Sequence, residues 1–278
     1  MELNKLSNLK GQSDNIEKMP VLFVGHGSPM NAIEENEFVA GWREIGKTLP
    51  KPNAILCVSA HWETSGTYVT AMENPKTIHD FGGFPARLYE VEYPAPGDPG
   101  LAETTSSLII RTKVGLDYKW GLDHGCWSVV RHLYPQADIP VIQMSMDYHQ
   151  SPQFHYDLGK ELSSLRKKGV LIVGSGNIVH NLGMVEWDKL DKPGFGYDWA
   201  IEANEKIKKF ILSDNHKSLI DYKSQGKAFD LAIPTPDHFL PLLYTLALKE
   251  KNETISIFND KAVAGSLTMT SFRIGEVL

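Results

Sequence analysis

Only two cysteines occur among the 278 residues, Cys57 inside an apolar run and Cys126 in "DHGCW", a stretch with the character of a turn. Neither falls in a zinc-ligand spacing and the pair makes no disulfide framework, so the expected setting is a reducing compartment. Long hydrophobic runs are missing too. No stretch approaches the roughly 18 apolar residues that a bilayer-spanning helix requires, and the N-terminus lacks the apolar centre of a signal peptide. A cytoplasmic location without a membrane partner is therefore expected. Basic clusters are confined to Lys167-Lys168 and Lys208-Lys209, and the formal charge is −6. Without a stripe of cations to neutralise phosphates, nucleic acid is not an expected partner. Internal repeats and low-complexity segments are lacking as well.

What is present suits a globular protein. An apolar content of 42% is ordinary for a soluble core, and the length allows one large α/β domain or two small ones. Residues 1–18 are polar and mixed in charge, which predicts a mobile extension before a domain spanning 19–278. Val21–Val24, Ala54–Val58, Ile139–Met144 and Val170–Val173 are nearly continuous apolar runs, the pattern of strands buried on both faces of a parallel sheet. Between them, Phe38–Leu49, Leu101–Ile110, Phe154–Arg166, Trp199–Leu212 and His238–Leu248 carry apolar residues at helical spacing. Thr254–Phe258 and Leu267–Ile274 read as late strands that pair antiparallel. The fold class predicted is α/β, with a mostly parallel, mixed sheet flanked by helices. The segment Asn74–Pro99, rich in proline and glycine, is too long for a mere connector.

The chain contains 10 histidines, and several fall just past strand ends. His26 follows "VLFVG", His61 lies in "VSAHWE", and His180 follows "VLIVGSGNIV". Ligands of open parallel sheets bind beyond the carboxyl ends of the strands, so these three imidazoles could meet in one crevice. His238, in "PTPDHFLPLLY", sits at the predicted start of a helix and could join them. Imidazoles without thiolates suit Fe(II), Zn(II), Cu(II) or Ni(II). His132, His149, His155 and His216 lie on helical or polar stretches and read as structural. Other motifs fit less well. "GHGSPM" and "GSGNIVHN" lack the third glycine of a dinucleotide fingerprint, no G-x-S-x-G elbow exists, and "HWE" is not the H-E-x-x-H of zinc proteases.

Seven ordered motifs, "FVGHGSPMNAIEEN", "SAHWET", "TIHDFGGFP", "YEVEYPAPGDP", "WGLDHGCWSVVRHLYPQADIPVIQMSMD", "VGSGNIVHNL" and "TPDHFLPLLY", resemble the 4,5-DOPA extradiol dioxygenase family. That family belongs to the class III extradiol ring-cleavage dioxygenases, with the catalytic subunit of protocatechuate 4,5-dioxygenase. The resemblance runs from about Met19 to the C-terminus. It implies a single α/β domain and a metal site formed by His26, His61, His180 and His238. It implies Fe(II) for activity, with Zn(II) able to occupy the site as isolated. The implied reaction inserts O2 into a small catechol beside the diol, giving a muconic semialdehyde. In protocatechuate-type relatives a carboxylate completes two histidines, whereas here His238 takes the third place; Asp80 and Asp237 are the alternative carboxylates, with Asp237 expected to cap the helix carrying His238. Three neutral imidazoles leave the metal its full charge, which favours a doubly deprotonated catechol.

The same resemblance makes His180 the expected base, or else a fourth ligand. His124, which follows Asp123, is the expected hydrogen-bond donor to bound oxygen or substrate. His79, Asp80, Phe84 and Tyr89 are the expected lining of the pocket, and Arg87 is a candidate for a substrate carboxylate. The partners implied are a small catechol and O2, in a monomer or small homo-oligomer. A zinc hydrolase built on the same imidazoles is the alternative from another enzyme class.

Overall fold

Apolar runs flanked by amphipathic ones decide the architecture. The computed structural model describes residues 18–190 and 192–275, and the extension expected over residues 1–18 lies outside them except for Lys18. The central strands are β1 (Val21–Gly25), β2 (Ala54–Thr64), β5 (Val141–Asp147) and β6 (Val170–Gly176), preceded at one edge by β3 (Thr67–Thr70) and β4 (Val114–Asp117). Two late strands, β7 (Ile255–Phe258) and β10 (Ser271–Ile274), complete an eight-stranded sheet in the order β4-β3-β5-β2-β6-β1-β10-β7. Pairing is parallel from β5 through β2 and β6 to β1, and antiparallel where β10 meets β1 and β7 and where β3 meets β5. A separate small ribbon joins β8 (Ala262–Val263) to β9 (Leu267–Thr268).

Alternation along the strands divides the interior into two cores. Val21, Phe23, Leu56, Val58, Ile142 and Ile172 face the helices Pro152–Glu161, Asp198–Leu212 and Leu240–Leu246. Leu22, Val24, Ile55, Cys57, Leu171 and Val173 face the helices Glu37–Thr48 and His124–Leu133. Successive side chains point to opposite faces, so a strand covered on both sides must be apolar throughout. No helix among the described residues is long and apolar enough to cross a membrane.

Several elements depart from the sequence-based expectation. Strands β3 and β4 are short and half-polar, and lacked an apolar run to announce them. "DHGCW" is the first turn of a helix, because the Asp123 carboxylate accepts from the Cys126 amide at 3.1 Å as its N-cap. The long helix expected over Phe154–Arg166 is interrupted at Leu162. The last predicted helix begins at Leu240, so His238 precedes it, and Asp237 is not its cap. Leu267–Ile274 divides between β9 and β10, the first part leaving the large sheet.

One buried cation ties the segment before β1 to the segment after the helix Leu240–Leu246. Arg166, 1% exposed, donates from Nε to the Met19 carbonyl at 2.8 Å and from Nη1 to the Leu248 carbonyl at 2.7 Å. It also grips Glu253 through both terminal nitrogens, and Lys18 pairs with Glu250 and Glu253 at 2.9 Å. Burial alone would raise the Glu253 carboxyl; Arg166, the Glu250 amide and Lys18 outweigh it and hold its pKa at about 2. Arg166→Leu leaves Glu253 with Lys18 as its cationic partner and strips the Met19 and Leu248 carbonyls of their buried donor, and urea unfolding should show a loss of roughly 3–5 kcal/mol. The Glu253 contribution is fully present above the ordinary pKa of 4.5 and disappears as pH falls toward about 2. Glu253→Gln should therefore flatten the acid side of the Tm profile.

Candidate metal centre

Five histidines from five segments converge where the parallel strands end. Backbone geometry aims His26 from the end of β1: Gly27 has φ +60, and a Cβ on Gly25 would sit 2.8 Å from the Met269 backbone. His61 is aimed by an irregularity in β2. Between Val58 and Glu63 that strand advances five residues while β5 advances from Met144 to Met146, so Ser59–Trp62 leave that ladder. His124 opens the helix His124–Leu133. His180, beyond β6, is fixed by its amide on the Ala232 carbonyl at 2.8 Å, and the carbonyl of His238 accepts from the Asn177 amide at 2.9 Å.

The rings pack closely. Centroid separations are 4.9 Å for His26–His61, 4.9 Å for His61–His238 and 5.2 Å for His26–His238, an almost equilateral triangle. His124 lies 3.8 Å from His61, and His180 stacks on His238 at 3.5 Å with planes only 8° apart. Four Nδ1 edges are turned to partners: His26 to Ser175 Oγ at 3.0 Å, His124 to Asp80 Oδ2 at 2.9 Å, His61 to the same oxygen at 3.5 Å, and His238 to Asp237. Burial and then the neighbouring rings push His26 and His61 well below the ordinary imidazole pKa, and burial with His238 lowers His180 to about 3. Burial would raise Asp237, but its contact with His238 outweighs this and holds the carboxylate ionised.

This donor set fits a divalent cation. The Nε2 atoms of His26 and His61 lie 3.0 Å apart, and with both Nδ1 atoms protonated the two Nε2 lone pairs are free to take a cation placed beside them. Ligand atoms of His26, His61 and His124 lie within 4.8 Å of one another, as do those of His180, Asp237 and His238. Above the rings opens a cavity of about 440 Å³, walled by Pro29, Phe84, Leu182, Trp187, Leu190 and Leu267.

The structure places the other sequence candidates apart from one another. Phe84 lines the cavity, and Gly82 and Gly83 beside it leave open space. Asp80 lies behind the rings, holding the His124 amide at 2.8 Å as well as its Nδ1. His79 is turned to the Val91 carbonyl at 2.9 Å and, with Tyr89, packs around Phe81. Arg87 is exposed on the single helical turn Ala86–Tyr89, away from the cavity lining. Sequence reasoning missed Ser175 and the apolar wall of Leu182, Trp187, Leu190 and Leu267; a serine in a buried strand and leucines in a loop carry no local signature of either role.

Fold and site together define an α/β enzyme with a histidine-rich metal centre. Residues 20–268 match the family described as the catalytic LigB subunit of aromatic ring-opening dioxygenase. The chain is 46% identical over 262 residues to the 4,5-DOPA dioxygenase extradiol of Escherichia coli K12, covering 93% of this chain and 95% of that one. It is 35% identical over 273 residues to the Beta vulgaris protein of the same name, covering 95% and 98%. A crystal structure of an uncharacterized protein from Escherichia coli K12 superposes with a TM-score of 0.80 at 42% identity, covering 92% of this chain and 100% of that one. The chain belongs to this LigB-type family of aromatic ring-opening dioxygenases. It is an extradiol ring-cleaving enzyme, and its family implies a metal, a catechol and O2.

Because a Cβ on Gly25 meets backbone rather than a flexible side chain, Gly25→Ala should displace His26. The expected result is a loss of about 1–3 kcal/mol in thermal or urea unfolding, with weakened metal uptake in a chelator competition.

Proposed function

We propose that His26, His61 and His238 hold the metal, with Fe(II) in the active enzyme, and that the substrate is a small DOPA-like catechol. The near-equilateral triangle of these three ring centroids supports the reading, although the ligand atoms of His26 and His61 also lie within 4.8 Å of that of His124. His180 fits a different role. Its ring stacks on that of His238 with planes 8° apart, so the two in-plane lone pairs lie in nearly parallel planes about a ring thickness apart. We therefore assign His180 to the substrate, as the neutral imidazole that accepts a hydrogen bond, and with it the proton, from a catechol hydroxyl made acidic by the metal, since burial and His238 leave the ring itself a weak base.

His124 has the complementary arrangement. Asp80 holds its Nδ1 and stabilises the ring when it is charged, so Nε2 can present a proton or hydrogen bond to oxygen or substrate above the metal. When bound, Fe(II) supplies Lewis acidity toward the catechol oxygens and a redox path between catechol and O2. Zn(II) can fill the same imidazole set but has no redox chemistry, so a zinc-loaded form is a resting form. Family membership favours ring opening over the hydrolysis that a zinc-bound hydroxide would perform. Phe84, Leu182, Trp187, Leu190 and Leu267 form a wall that receives the aromatic ring and excludes water. His79 and Tyr89 act at one remove, bracing Phe81 beneath the loop.

The test is anaerobic loading with Fe(II) or Zn(II), then air with DOPA, caffeate or protocatechuate. Oxygen uptake and a yellow semialdehyde are expected with Fe(II) and DOPA, and none with Zn(II); silence of the Fe(II) form with all three catechols would overturn the reaction. In a separate measurement, His180→Ala should retain its metal while kcat falls about 10²–10⁴-fold. Loss of metal from that variant would make His180 a ligand.

A further inference from the structure

We propose that Ser175 is a positioning residue for the metal centre: it locks His26 in the Nδ1–H tautomer and so turns a bare Nε2 toward the metal. The inference rests on the reading of His26 as a ligand. Ser175 Oγ lies 3.0 Å from His26 Nδ1 and 2.5 Å from the Gly125 carbonyl oxygen. A hydroxyl has one proton and a carbonyl can only accept, so that proton is committed to Gly125. What Ser175 turns toward His26 is then a lone pair, and the imidazole must supply the N–H. With Nδ1 protonated in a neutral ring, Nε2 is left bare.

Burial removes the alternatives. Ser175 is 0% and His26 2% exposed, so bulk water does not compete for either group. The bare Nε2 faces His61 Nε2 at 3.0 Å, and His61 has its own Nδ1 toward Asp80. Without Ser175 the pair has an easier arrangement, in which His26 carries its proton on Nε2 and donates it to His61. That hydrogen bond would compete with a cation for both lone pairs. The choice of serine also has a physical reason. His124 and His238 are oriented by the carboxylates Asp80 and Asp237, whereas at the buried end of β1 a hydroxyl sets the tautomer without adding an uncompensated charge. Through Gly125, the same hydroxyl also ties β6 to the helix that begins at His124.

The first readout is the tautomer in zinc-free protein with ¹⁵N-labelled histidine, by two-bond ¹H–¹⁵N correlation, the His26 signals being those lost in His26→Gln. The parent should show Nδ1–H, and Ser175→Ala should shift His26 toward Nε2–H. The second is Zn(II) affinity from competition with a chromophoric chelator, with a melting curve for each variant. Ser175→Ala should bind Zn(II) about 10–100-fold more weakly, and Ser175→Thr, which restores the hydroxyl, should come within about threefold of the parent. An Nε2–H tautomer in the parent, or parental Zn(II) affinity in Ser175→Ala, would overturn the proposal. So would a Ser175→Thr variant with parental Tm that binds as weakly as Ser175→Ala. Parental Zn(II) affinity in His26→Gln would instead refute the ligand reading, with the tautomer spectra still reporting whether the lock exists.

Discussion

The site depends on the parallel register of β6 between β1 and β2. Ser175 is paired on one side with Val24 and on the other with Ser59. His26 and His61 each lie two residues further along their strands, so the two imidazoles arrive at the same level on either side of β6. A slip of one residue in either pairing would send one of them to the opposite face, because side chains alternate with a period of two. The apolar alternation that builds the two cores is therefore also what delivers the first two imidazoles to one place.

Convergence of neutral rings has an electrostatic consequence. Packed together and out of water, His26, His61 and His180 resist protonation, burial first and then the neighbouring rings disfavouring a proton. Those three rings are thereby kept neutral, with a lone pair to donate, the state a metal needs. The carboxylates stand behind the rings rather than among them: Asp80 and Asp237 engage Nδ1 edges, and Asp123 is spent on Ser59, Gln143 and the helix N-terminus. An electron-accepting cation above such a set retains its charge, which suits an anionic catechol.

Much of the fold was legible because its signal is local. The runs beginning at Val21, Ala54 and Val170 needed no partner to be recognised as buried strands, and the helices at Glu37 and Asp198 announced themselves by spacing. What escaped has its cause elsewhere in the chain. Strand β3 exists because β5 offers it an edge and β4 because β3 does, and His61 leaves its ladder because of an irregularity visible only against β5. Asp237 followed a sound capping rule, yet its neighbour His238 took the carboxylate instead.

By themselves, the residues determined the α/β class, the positions of the strand ends and the identity of the histidines placed there, since hydrophobic period and residue type are properties of short segments. Only the tertiary structure decided which rings face one another, which two are stacked, and which neutral hydroxyl or distant carboxylate turns each ring. Those are relations between β1, β2, β6, the loop bearing Asp80 and the turn before Leu240. Contacts between segments so far apart in sequence come into being only when the sheet brings the strand ends level.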